Sequence, residues 1–212
     1  MQLSLDKRFA QSFQFKASYT LANGRGNTTG NGVPTANFQT QTSLGLDENS
    51  GPTAFDRRHN FVFSGLYRVP KTRGFVISTI VRALSGTPFT IFNSTVDADQ
   101  NGINADPLPA GAFSNFRLFA NGERLDFSVD NKGGVNGARL PGFFAVDLRL
   151  AYKFNFTERV NAGFTFEVFN LANRTNYDET TVSGNTSSLS SFLIPAVAKP
   201  PRTIQLGFRV AF

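Results

Sequence analysis

The chain is predicted to be all-β, an antiparallel up-and-down sheet of about seven long strands, and three features of its 212 residues support that reading. Apolar and polar residues alternate with period two along extended runs, which gives each run one apolar and one polar or small face. The runs reach about nine to eleven residues, the length a tilted membrane strand needs, whereas soluble strands average nearer five or six. Short turns at 10–12, 70–74 and 155–159 fall at one end of the sheet, and long Gly-, Asn-, Thr- and Pro-rich stretches at 22–59, 93–142 and 171–202 fall at the other. Outer-membrane barrels show that asymmetry, with short periplasmic turns and long extracellular loops. No segment of helical periodicity competes. The prediction is therefore a portion of a transmembrane β-barrel.

Gln2 to Phe9 reads as a strand with Leu3, Leu5 and Phe9 on one face, interrupted by Lys7. Phe13, Phe15, Ala17, Tyr19 and Leu21 then alternate against Gln14, Lys16, Ser18 and Thr20. From Ala22 to Asp56 the pattern vanishes into turn-forming residues. Asn60 to Val69 resumes it, with Phe61, Phe63, Gly65, Tyr67 and Val69 sharing a face. Phe75 to Leu84 is less clean, because Val76, Ile80 and Leu84 share the face of Ser78 and Arg82. The next irregular stretch holds a predicted hairpin around Phe116–Leu118 and Leu125–Phe127. Phe144 to Phe154 alternates most cleanly, Val160 to Phe169 returns, and the last strand is Thr203 to Phe212. In that last strand Ile204, Leu206, Phe208, Val210 and Phe212 make one wholly apolar face.

Composition narrows the class. The absence of cysteine removes disulfide frameworks and thiolate metal sites. The net charge of +6 comes from basic residues spread singly along strands, with Arg57-Arg58 the densest pair, and not from the patch or stripe of a nucleic-acid binder. No run of about eighteen apolar residues exists to make a transmembrane helix. The first residues, MQLSLDKRFA, lack the basic start, apolar stretch and cleavage site of a signal peptide. Single-chain bacterial barrels have even strand numbers, and a sheet in lipid must close without edges. The expectation is accordingly a C-terminal barrel part spanning 1–212, with the export signal upstream.

The ending resembles the C-terminal signal of outer-membrane barrels, on Gln205, Gly207, Val210 and Phe212. That resemblance implies the barrel assembly machinery as a partner. The segments FDRRHNFVFSGLYRVP (Phe55–Pro70), SGTPFT (Ser85–Thr90), LPGFFAVDLRLAYKF (Leu140–Phe154), FEVFNLANRTNY (Phe166–Tyr177) and PRTIQLGFRVAF (Pro201–Phe212) follow in order. Together they look like the last third of the β-barrel of Oar-like TonB-dependent outer-membrane receptors. The opening strand pair, Leu3 to Asn23, is similar to the pair that precedes them in that family. The resemblance implies a barrel of about twenty-two strands with a plug inside it. It also implies energy from the TonB complex and uptake of an unknown nutrient ligand at the bacterial cell outer membrane.

The candidate sites are few. Asp97, Asp99, Asn101, Gly102 and Asp106 form DADQNGINAD, whose spaced carboxylates and amides resemble a calcium loop; Leu108 stands where a bidentate Glu is expected, and a solvated acidic loop is the alternative. No other cofactor is expected. Arg82, Asp147, Arg149, Lys153, Glu167 and Arg209 lie opposite the apolar face and are predicted to point into the lumen, pairing with neighbours and hydrating the wall. Tyr19, Tyr67, Tyr152 and Phe212 are candidates for interfacial aromatic girdles facing outer-membrane lipid. His59, the single histidine, stands beside Asp56, Arg57 and Arg58, but no serine–histidine–carboxylate set is indicated and no enzyme is expected. The alternative function is a secreted all-β binding or adhesion module with a soluble sandwich core.

Overall fold

The computed structural model describes residues 1–26, 50–72, 74–98, 100, 102, 104, 106–114, 129–155, 157, 160–178 and 182–212, with the backbone of 119–120 and 123–124. In chain order the strands are β1 (Gln2–Ala10), β2 (Phe13–Leu21), β3 (Arg25–Gly26), β4 (Gly51–Pro52), β5 (His59–Arg68), β6 (Val76–Leu84), β7 (Pro88–Phe89), β8 (Phe119–Ala120), β9 (Glu123–Arg124), β10 (Ala138–Arg139), β11 (Phe143–Asn155), β12 (Asn161–Phe169) and β13 (Thr203–Ala211). Seven of them build one sheet in the order β1-β2-β5-β6-β11-β12-β13, each antiparallel to its neighbours. These are the predicted long strands, and their ends agree with prediction to within one or two residues. The hairpin expected around 116–118 and 125–127 lies outside the described residues; the short β8–β9 pair sits between those stretches.

The register carries the alternation across the sheet. Leu148 lies opposite Thr79 on one side and Val168 on the other, and Val168 lies opposite Ile204. Leu150, Phe166 and Leu206 form the next row, and Tyr152, Phe164 and Phe208 the one after. Among the described residues no second sheet covers this apolar face: Leu206 is 65 % exposed and Phe208 70 %. A sandwich core, the alternative considered from sequence, needs that second layer. The sheet is open, with β1 and β13 each lacking a strand partner on one edge among the described residues.

One face assignment is corrected. Phe9 was expected beside Leu3 and Leu5, but the register shifts between Lys7 and Ala10. A bulge places an extra residue on one strand and re-aims the side chains after it. Phe9 consequently meets the Arg68 guanidinium, 5.1 Å from its ring centroid. Lys7, on the apolar face, bends back to the turn: its Nζ donates to the carbonyls of Ala10 (3.0 Å) and Phe13 (3.4 Å) and sits 3.7 Å over the Phe13 ring. The turn itself has Gln11 and Ser12 both in the left-handed region (φ 53° and 70°), the two-residue geometry that matches strand twist.

The clustered buried core lies outside the seven-stranded sheet, in which Ala145, Ala162 and Val168 are buried singly. Ile91, Val129, Ala138, Leu140, Val182, Phe192 and Leu193 cluster together, with Phe89, Leu108, Phe113 and Tyr177 packed against them. All belong to the connections 85–142 and 170–202 at the long-loop end. Short ladders close single connections on themselves, and the Phe92–Asn185 bridge joins 85–142 to 170–202. β7 pairs with β10, β3 pairs with β4, and single bridges join Phe92 to Asn185 and Phe92 to Pro107. The loops thus form a packed cap on one end of the wall.

Candidate functional site

Three places carry polar chemistry: the polar face of the wall, the rim where wall meets cap, and the acidic loop. On the wall, Arg82, Asp147, Arg149, Lys153, Glu167 and Arg209 all share the face opposite the apolar rows. Arg82 Nη2 donates to Asp147 Oδ2 at 2.9 Å, and Arg149 Nε lies 3.4 Å from Glu167 Oε1. The Asp147 Oδ1 atom accepts the Asn170 amide at 3.0 Å, which fixes the exit of β12. Lys153 and Arg209 flank Gly163 in a single cross-strand row. A groove of about 470 Å³ opens on the same face over β1, β2, β5 and β6.

The rim gathers most of the quoted sequence segments. Asp56, 3 % exposed, accepts the Gly24 amide at 2.9 Å and a guanidinium hydrogen bond from Arg139 Nη2. Arg139 Nη1 donates to the carbonyls of Asp56 (2.7 Å) and Gly86 (3.2 Å). Burial works to raise the Asp56 carboxyl, but the Gly24 hydrogen bond and the Arg139 guanidinium, with Arg58 nearby, outweigh it and hold the group below the usual carboxylate range. Arg57 Nη1 donates to Ser85 O at 2.9 Å, and the His59 amide to Ser85 Oγ at 3.0 Å. Asn176 accepts the Phe144 amide and donates to the Phe144 carbonyl, both at 2.9 Å. Its side chain so replaces a strand rung where β11 runs beyond its pairing with β12.

Backbones approach closely here, and glycine permits it. A Cβ on Gly86 would lie 1.6 Å from the Leu140 carbonyl oxygen, and one on Gly184 would lie 1.8 Å from that of Thr90. The role of Asn176 and the partner of Asp56 were not found from sequence. The Asn-rich run after β12 was the available signal, because such residues bond local backbone at strand exits.

His59 makes no catalytic set with its neighbours. Its Nδ1 is 2.8 Å from the Tyr19 hydroxyl, while Asp56 is turned to Arg139. Tyr19 thus sits at the long-loop end, while Tyr152 packs with Phe75 (6.3 Å) and Phe154 (4.4 Å) at the short-turn end. In the acidic loop, Asp97 Oδ2 accepts the Gly102 amide at 2.8 Å and Asp106 Oδ2 accepts the Ala98 amide at 2.5 Å. Asp99 and Asn101 lie outside the described residues. Among the described residues no group of three or more potential ligands gathers around a metal position.

In β13, Gln205 lies opposite Glu167, Gly207 opposite Thr165, and Val210 opposite Ala162. A Cβ on Gly207 would lie 2.4 Å from Thr165 Oγ1, so this glycine makes room for the threonine hydroxyl. Phe212 follows the strand, fully exposed.

A family model described as an outer membrane beta barrel domain matches residues 1–205. No curated protein matches the chain.

Proposed function

From the premise that the chain belongs to the outer membrane beta barrel domain family, and so lies in the outer membrane of a bacterium, we propose that it forms part of the barrel wall of an Oar-like TonB-dependent receptor for energised uptake of a nutrient ligand. The observation that carries this reading is the convergence of the family-like segments. Asp56, Ser85, Gly86, Arg139, Asn170 and Asn176, which bond to one another or to the strand ends, come from four stretches that either resemble that family or directly adjoin one that does. They hold the long loops over the wall, where a surface ligand arrives first.

In this reading the apolar rows touch lipid and the charged face looks into the lumen, where Arg and Lys are tolerated; at the lipid midplane they cost about 2–4 kcal/mol. Lipid offers no hydrogen bonds to the edges of β1 and β13 that lack a strand partner among the described residues, so in this reading further strands pair with both. Gln205, Gly207, Val210 and Phe212 are what the assembly machinery reads. The TonB complex acts through parts other than these strands. The loops and the lumen bind and pass the ligand, with no covalent chemistry.

Growth tests the reading. A strain lacking this protein is compared with its parent and with a strain lacking TonB, on media limited in turn for an iron chelate, cobalamin, a saccharide or a peptide. One limitation is expected to produce the same defect in both deletion strains. Normal growth of the first on every medium that starves the second would sink the transport reading.

A further inference from the structure

The polar face of the wall has one stretch that departs from its own pattern. Ile80 is 45 % exposed there, in a row with Lys16, Ser64 and Asp147, and Leu66 lies on the same face beside Ser78. Nothing in the alternation requires aliphatic side chains in a water-facing position. Both line the groove over β1, β2, β5 and β6, together with Phe9, which the β1 bulge brings to this side. Three cations line it as well, Arg8, Lys16 and Lys7, the last with its Nζ turned to the Ala10 and Phe13 carbonyls, and Arg68 stands over the Phe9 ring. Among the lining residues only Asp6, directly opposite Lys16, offsets them; Asp147, next in the row, is paired with Arg82.

An aliphatic floor beside surplus positive charge is complementary to one chemical class. We propose that this groove binds a soluble amphiphilic anion, its alkyl part on Leu66 and Ile80 and its carboxylate or phosphate head at Arg8. A chain laid on Ile80 removes apolar surface from water on both partners, and the head gains charge-assisted hydrogen bonds. The face lies opposite the apolar rows, so the ligand comes from the aqueous interior and not from the bilayer. The inference rests on the polar face being the inner wall, and not on energised uptake.

The test uses the complete barrel that carries this chain, in phosphatidylcholine nanodiscs, and 11-(dansylamino)undecanoate as the fluorescent probe. Saturable binding is expected, with decanoate displacing the probe at least about tenfold better than decanol, since a charge-assisted hydrogen bond to the head is worth about one decade or more. Ile80→Asn is expected to weaken binding about tenfold, the worth of one aliphatic contact. Ile80→Thr is the milder second variant, and heat-modifiable gel migration confirms that each variant is folded. Arg8→Gln is expected to narrow the gap between decanoate and decanol. Leu206→Asn, on the opposite face, is expected to leave binding unchanged. Equal displacement by decanoate and decanol, or binding lost with Leu206→Asn and kept with Ile80→Asn, would overturn the proposal. Displacement of the probe by added phosphatidylglycerol would overturn the soluble source. Normal growth of the deletion strain on every medium, with probe binding intact, counts only against the transport reading.

Discussion

Leu206 and Phe208 in β13 are 65 % and 70 % exposed, whereas Val129 and Leu193 in the cap are fully buried. Both regions are rich in apolar side chains, yet they dispose of them in opposite ways. The wall satisfies its backbone through one continuous ladder and leaves its apolar rows exposed, for lipid to cover in the proposed reading. The cap has almost no ladder. It closes irregular backbone with side-chain amides, one buried ion pair and a small packed core. Stability in the wall therefore depends on the surrounding solvent, and stability in the cap on specific partners far apart in sequence.

That difference can be broken from either side. Arg139→Met should have the largest effect, because it leaves Asp56 buried without its cation; removing one partner of a buried pair costs about 3–5 kcal/mol. Hydrogen exchange should show the cap amides losing protection while β11 and β12 keep theirs. Equal loss in both regions would mean that cap and wall are one cooperative unit. Next comes Leu150→Arg, in the middle of an apolar row, at about 2–4 kcal/mol. It should lower the denaturant midpoint of the membrane-inserted protein and leave cap protection intact. Asn176→Ala should cost about 1–3 kcal/mol by orphaning the Phe144 amide and carbonyl, seen as local exchange at the head of β11.

Acid sharpens the comparison without mutation. The folded carboxyl of Asp56 lies below its ordinary value, so its stabilising contribution is complete above about pH 4 and is lost as pH falls through the depressed value. Cap proteolysis should be constant from neutral pH to that point and rise below it. A rise near pH 6 would assign the dependence to another group. Arg82→Gln should have the smallest effect: its pair with Asp147 is partly exposed, the Arg82 side chain retaining 46 % of its surface, and such pairs contribute about 0–1 kcal/mol. A larger loss in a urea titration would show that the polar face is drier than its exposure indicates.

How far each region was legible follows from the same contrast. Strand structure repeats every two residues, so each of the seven wall strands, and both faces of most of them, were visible in local order alone. Phe9 was placed on the wrong face because a bulge adds a residue without changing the local pattern. Ile80 and Leu84 blurred β6 for a different reason, since they are aliphatic on the polar side. In the cap, Arg139 meets Asp56 across 83 residues and Asn176 meets Phe144 across 32, and no periodicity announces such pairs. The acidic loop shows the reverse: its spacing is conspicuous, while Asp97 and Asp106 hold backbone amides of their own loop.

Because the chain has no cysteine, single cysteines report one position each. A polarity-sensitive fluorophore placed in turn at 145 to 151 of β11, in vesicles with and without brominated lipid, asks directly which face meets acyl chains. Quenching at Val146, Leu148 and Leu150 with none at Ala145, Asp147, Arg149 and Ala151 is the expected result. Uniform quenching, or the opposite alternation, would contradict a wall whose apolar rows face lipid.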